Sequence, residues 1–154
     1  MSFVLIKKYI QIGRKIKVMK YVGLDFVNEH LKSGLIKVTG LQPNNDSVIF
    51  YCKDGTEIMM YHDQDCCESV FIESVDSYEN NDDIYTNCDW CVIEEVSNID
   101  RDPMEDNEES YTWTFYNVKT NKGYDTIRWY GYSNGYYSER VDFADISDGE
   151  YFYD

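Results

Sequence analysis

From residue 35 onward, apolar side chains recur at every second position, and Gly- or Asn-bearing turns separate one run from the next. That period is the alternation of a half-buried strand and does not map onto one face of a helix. The runs 35–41, 48–52, 56–62, 70–75, 90–96, 111–118, 124–130 and 136–143 read as strands. Asp54-Gly55, TNKG (120–123) and GYSNG (131–135) are turn signals, because Gly and Asn accept the positive φ of tight hairpins. Tyr111, Trp113 and Phe115 share a face, and Ile127 and Trp129 lie opposite Arg128 and Tyr130. Tyr137, Val141 and Phe143 lie opposite Tyr136, Ser138 and Arg140. Residues 111–143 are therefore predicted to be three consecutive antiparallel strands.

Residues 1–40 read differently. Val4 to Ile16 fits either an irregular strand or a frayed helix. Leu24, Val27, His30 and Leu31 recur at helical spacing, with Asp25 placed to cap them and Ser33-Gly34 to stop them, so a short helix is predicted over 24–33. Residues 76–89 and 97–110 read as loops. Together 76–110 hold thirteen carboxylates against one Arg, and that repulsion predicts a mobile or extended segment. Long helices between strands are missing, so there is no βαβ rhythm. The predicted fold is mainly β (α+β): a curved antiparallel sheet, sandwich-like or a partly open barrel, with a short N-terminal helix. Residues 1–35 read as a basic N-terminal appendage carrying that helix, and 36–154 as an acidic antiparallel β domain.

The division follows the charge. Residues 1–40 carry eight Lys or Arg against two carboxylates, and residues 41–154 carry six against twenty-seven. A basic head is either a solvated face or a surface for an acidic partner, this protein's own body included. An acidic body disfavours nucleic acid, whose affinity comes largely from Lys and Arg. No apolar run is long enough for a membrane span. The stretch Phe3–Ile6 is too short, and its charges come too late, for a signal peptide. The five cysteines are accordingly expected as reduced thiols. Fifteen Tyr are more than a chain of this length buries, and exposed Tyr suits an interface.

The densest chemical cluster is His62, Asp63, Asp65, Cys66, Cys67 and Glu68. With Cys88 and Cys91 of a CDWC stretch it holds enough ligand types for zinc, but no paired CxxC sits at two distant places. Buried free cysteines more often act as small hydrophobes. CDWC has redox spacing but leads into a strand, not a helix. Cys66 or Cys67 as nucleophile with His62 as base, and Asp65 or Glu68 as orienter, requires a sharp turn. Asp65 to Glu68 is predicted to be a bend whose side chains and backbone NH groups cap one another, with at least one of Cys66 and Cys67 buried. Arg128 and Arg140, read as sharing a face with Tyr130 and Tyr136, suggest a small anion or nucleotide pocket, or else pairs with Glu139 and Asp142. Neither GxxxxGK[ST] nor GxGxxG occurs.

Two stretches, YHDQDCCESVFIESV (61–75) and ESYTWTFYNVKTNKGYDTIRWYGYSNGYYSERVDF (109–143), resemble a small β-rich domain of unknown function found widely in tailed bacteriophages and prophages. The resemblance covers roughly 36–143 through HxQDCCE and IRWYGxSNGYYSE, and leaves the first 35 residues outside as an addition. It implies a phage origin and the host cytoplasm, but no activity, since the family as a whole has no assigned catalytic residue. The expectation is a non-enzymatic phage accessory protein that binds a host or phage protein, with inhibition of host defence as one such role. Its expected binding residues are Glu105, Asp106, Glu108 and Glu109 of the acidic loop, with Arg128, Tyr130, Tyr136 and Arg140. The runner-up is a small-molecule or metal-binding domain, with hydrolysis as an option, centred on His62, Cys66 and Cys67 with Cys88 and Cys91. No cofactor and no membrane are implied, and a homodimer stays open.

Overall fold

The computed structural model describes residues 8–96 and 99–151. In chain order the strands are β1 (Lys8–Ile12), β2 (Lys15–Tyr21), β3 (Leu35–Thr39), β4 (Ser47–Cys52), β5 (Glu57–Tyr61), β6 (Ser69–Val75), β7 (Cys91–Val96), β8 (Ser110–Thr120), β9 (Gly123–Ser133), β10 (Asp142–Asp145) and β11 (Gly149–Tyr151). Two helices, α1 (Leu24–Leu31) and α2 (Asp76–Glu79), interrupt them. One sheet runs β1-β2-β10-β5-β4-β3, with β11 also on β2, and the other runs β6-β9-β8-β7. Every pairing is antiparallel, for instance β4 on β5 and β8 on β9. The fold is mainly β and open, as the alternation predicts.

The inward-facing residues of both sheets meet in one core. Val48, Phe50, Ile58 and Met60 come from the first sheet, and Ile72, Ile93, Tyr116, Val118, Ile127 and Trp129 from the second. Helix α1 adds Val27 and Leu31, one turn apart on the same face. Asp25 does not cap it: Gly23 holds that position and Asp25 lies in the first turn. Gly34 ends the segment at φ +108, where a Cβ would stand 2.4 Å from the Cys88 carbonyl, so no other residue fits. The free edge of β7 is closed by Asn28 of α1. Its amide donates to the Ile93 carbonyl at 2.8 Å and accepts the Ile93 NH at 2.8 Å. The edge of β6 is closed likewise by the turn at Asn44 and Asn45, which exchanges two backbone bonds with Ile72.

Residues 8–16 of the segment read as an irregular strand or frayed helix belong to a β-hairpin over 8–21, turned at Gly13 (φ +61); residues 4–7 of that reading lie outside the described residues. Its Ile10, Ile12 and Met19 fold over Met59, Tyr61, Ala144 and Ile146 in a second, smaller cluster. The basic head meets the acidic body there. Lys8 pairs with Asp63 at 2.6 Å, Lys17 with Glu57 at 2.7 Å and Lys20 with Asp148 at 2.6 Å. Since β2 pairs with β10, the basic segment shares a sheet with the acidic body.

The predicted third strand of the C-terminal meander does not form. β8 and β9 make the hairpin at 120–123, but the other edge of β9 is taken by β6. Residues 134–141 therefore cross to the first sheet, where β10 inserts between β2 and β5. The 76–89 segment, read as a loop, opens with the single turn of α2.

Candidate functional site

The strand order brings three separate loops to one end of the second sheet. Ser69 of β6 stands opposite Tyr132 of β9, and Tyr132 stands opposite Tyr111 of β8. Hence the stretch before β6 (62–68), the stretch before β8 (99–109, here the strap) and the stretch after β9 (134–141) all leave from the same edge. The two motifs of the sequence, HxQDCCE and IRWYGxSNGYYSE, are thereby neighbours.

The first loop is organised around Glu68, which is buried. Its carboxylate accepts the Cys66 NH at 2.8 Å, the Asp65 NH at 3.3 Å and the Gln64 amide at 2.8 Å. His62, also buried, sets Nε2 against Glu68 at 3.1 Å and Nδ1 against the Arg140 carbonyl at 2.7 Å. Burial alone pushes the Glu68 carboxyl up. The amides of Cys66 and of Glu68 itself, His62 and the Asp65 amide outweigh it and bring the pKa down to about 2. The predicted bend over 65–68 is present, and a buried carboxylate gathers the Asp65 and Cys66 amides and the Gln64 side chain within it.

The third loop is organised in the same way around Glu139. That carboxylate, buried too, accepts the Ser133 hydroxyl at 2.5 Å and the Thr112 hydroxyl at 2.8 Å. Gly131 lets the loop lie against β9, because a Cβ there would meet the Glu139 carbonyl at 2.7 Å. The Gly135 NH donates to Ser133 Oγ at 3.0 Å and the Tyr136 NH to Asn134 Oδ1 at 2.9 Å. On this braced turn Tyr136 is 86% exposed, with Tyr137 edge-on to it at 5.6 Å.

The strap belongs to the segment whose charge predicts a mobile or extended course, and it is held by specific contacts. It lies over the outer face of the second sheet, where Phe71, Trp113 and Tyr130 stand in one row. The Trp113 indole NH donates to the Asp102 carbonyl at 3.0 Å, and the Met104 NH donates to the Tyr130 hydroxyl at 3.1 Å. That hydroxyl in turn donates to the Glu108 carboxylate. Arg101 sets its guanidinium 4.3 Å from the Trp113 ring centre. Aromatic contact and three hydrogen bonds thus hold the strap against its own repulsion. The cost shows at Glu108, whose carboxyl is raised by burial and by the neighbouring Glu105 and Glu139.

Of the expected binding residues, Glu105, Asp106, Glu108, Glu109, Tyr130 and Tyr136 come to this one end. Arg128 and Arg140 do not pair up. Arg128 lies further along β9, bonded to Asp76 at 2.6 Å, and Arg140 sits on the crossing loop, bonded to Asp142 at 3.0 Å. Tyr130 is buried beneath the strap while Tyr136 projects. The alternation was read through residues that are not a strand, so the shared face was lost with it.

The His/Cys cluster also separates. Cys88 and Cys91 are buried in the core with Cys52, and burial pushes the Cys52 and Cys91 thiols up to about 12. His62 has both ring nitrogens facing acceptor oxygens. Cys66 and Cys67, expected as thiols with at least one buried, are both exposed and joined to each other by a disulfide. They lie in a bend, where strand alternation does not send consecutive side chains to opposite faces. Among the described residues, no group of three or more His, Cys, Asp or Glu is arranged to hold a metal ion. Sequence reasoning missed Thr112, Ser133, Trp113 and Arg101 as parts of the site, and Glu139 as its buried brace. Nothing in twenty-nine carboxylates marks two of them as buried.

Among the described residues, no helix is long and apolar enough to cross a membrane. Residues 10–143 match the family described as Domain of unknown function (DUF7448). The match begins inside the basic segment and takes in both sheets. No curated protein and no solved structure matches the chain.

Proposed function

The chain belongs to the DUF7448 family, a domain of unknown function, and from that premise we propose that it is a non-enzymatic binding protein whose contact surface is the three-loop tip. The observation that carries this reading is Tyr136: a large ring, 86% exposed, on a turn braced by a buried carboxylate. A fixed aromatic loses little entropy when a partner covers it, which is how Tyr-rich paratopes work. The turn itself, SNGYYS, has the composition of such a paratope. Tyr111, 38% exposed, stands beside Tyr132 at the same end, and the exposed Glu105, Asp106 and Glu109 rim it.

Chemistry finds less support. The buried His–Glu pair is consumed in bracing, and burial holds Cys52 and Cys91 in the core as thiols. The phage motifs of the resemblance and the strongly acidic body favour a phage accessory protein acting on a host or phage protein in the host cytoplasm, inhibition of a host defence included.

The test is capture from host lysate with tagged full-length protein, run beside Tyr136→Ala and the triple variant Glu105→Gln, Asp106→Asn, Glu109→Gln. A single protein retained by the parent and lost by both variants supports the reading. A partner retained equally by all three moves the contact surface elsewhere. Turnover of an added phosphoester, ester or peptide substrate that the variants leave unchanged would replace binding by catalysis.

A further inference from the structure

We propose that the tip recognises an arginine-bearing basic segment of its protein partner; this rests on the protein-binding reading above and names the partner's chemistry. Exposed carboxylates lie on the loops of the tip: Asp65 on the first, and Glu105, Asp106 and Glu109 on the strap. The accessible rings at the same end are those of Tyr111, Tyr132 and Tyr136. Acid and aromatic surface together suit a cation. They suit guanidinium better than ammonium, since its plane stacks on a ring while its edge bonds a carboxylate in two places.

The chain already uses this recognition on itself. Arg101 lies over Trp113 at 4.3 Å and over Phe115 at 5.6 Å, at the mouth of a cleft of about 650 Å³ lined also by Glu73, Asp100 and Asp102. One row along, Arg128 stands 5.5 Å from the Phe115 ring and is bonded to Asp76. The outer face of the second sheet thus holds Arg101 over two rings and Arg128 between a ring and a bonded carboxylate, and among the described residues no cation lies over Tyr136. Nucleic acid is the wrong occupant for such a field, and an acidic partner is repelled by it.

The probe is a fluorescent peptide of alternating Arg and Ser, with its Lys counterpart as reference, titrated by anisotropy against the full chain at fixed salt. The tip triple Glu105→Gln, Asp106→Asn, Glu109→Gln is compared with a control triple of equal charge change away from the tip, Glu29→Gln, Glu79→Gln, Asp82→Asn, all exposed. The Arg peptide is expected to bind more tightly than the Lys peptide, and the tip triple to weaken it well beyond the control. Tyr132→Ala with Tyr136→Ala is expected to weaken it about fivefold, the order of two exposed cation–π contacts.

Equal weakening by both triples would reduce the effect to net charge and overturn the proposal. So would equal affinity for the Arg and Lys peptides. If lysate capture still yields a partner lost by Tyr136→Ala while the Arg peptide ignores the tip, protein binding stands and the basic partner falls. If the peptide behaves as expected but no protein is captured, the recognition chemistry stands and the accessory role falls.

Discussion

Two buried carboxylates decide the shape of the tip, and they respond to change differently. Glu139 accepts the Thr112 and Ser133 hydroxyls, so Glu139→Ala removes both bonds, while Ser133 keeps the Gly135 NH and a longer contact to the Tyr137 carbonyl. A loss of about 1–2 kcal/mol is expected in denaturant unfolding, the order of losing hydrogen bonds to a charged acceptor. Glu68 acts through pH. Its folded pKa, about 2, lies below its ordinary value of 4.5. Its contribution is therefore complete above pH 4.5 and is lost as pH falls from there through about 2. Thermal unfolding followed across that window should show a fall in Tm that Glu68→Gln flattens. Glu108 has the opposite sign. A carboxyl raised by burial opposes folding once it ionises, so stability from this group declines as pH rises above its ordinary value. Glu108→Gln keeps an acceptor for Tyr130 and sheds the charge, and its Tm at pH 7 is expected at or above the parent's.

At the scale of elements, the strap and the sheet edges carry the predictions. Trp113→Phe removes the bond to the Asp102 carbonyl while keeping most of the ring. The strap should then be cut sooner by a Glu-specific protease, at Glu105 or Glu109, with little change in global unfolding. Asn28→Ala strips both bonds from Ile93, and a cost of about 1–2 kcal/mol is expected. It also opens β7 to another chain, so sedimentation should report new oligomers. These elements differ in how readable they were. β4, β5, β6, β8 and β9 were legible because alternation and turn chemistry agree at each, as at Asp54-Gly55 and TNKG. The eighth strand was not, because Tyr136–Phe143 alternates as well as any true strand. What forbids it is that β6 already occupies the edge of β9, a fact about residues some seventy positions away. The β1–β2 hairpin was hidden because Gly13 is its only turn signal. The strap read as mobile or extended because charge is visible in a sequence, whereas the three bonds to Trp113 and Tyr130 are not. Glu105, Asp106, Glu109 and Tyr136 could be named without knowing that one sheet end would gather them.

Over the whole molecule the charge is divided in sequence but partly cancelled in space, since Lys8, Lys17 and Lys20 each meet a carboxylate of the body. Exposed pairs of this kind contribute only ~0–1 kcal/mol each, whereas a net charge of −15 repels itself throughout. Repulsion should win, so Tm is expected to rise as NaCl is added and the field is screened. Lys17 is the exception among the pairs, with its side chain only 9% exposed. Lys17→Ala should cost about 2 kcal/mol by stranding Glu57 and removing a packed stem. The topology also sets a timetable. β10 lies between β2 and β5, yet it is made after both and after the entire second sheet. On the ribosome, the second sheet can pair its strands while β2 and β5 still wait with bare edges for residues 142–145. A chain that stops short of residue 142 would expose two open strand edges, the kind of species that chaperones and proteases collect. Closure of the first sheet thus waits for residues 142–145, and a copy that lacks them has no finished first sheet to offer a partner.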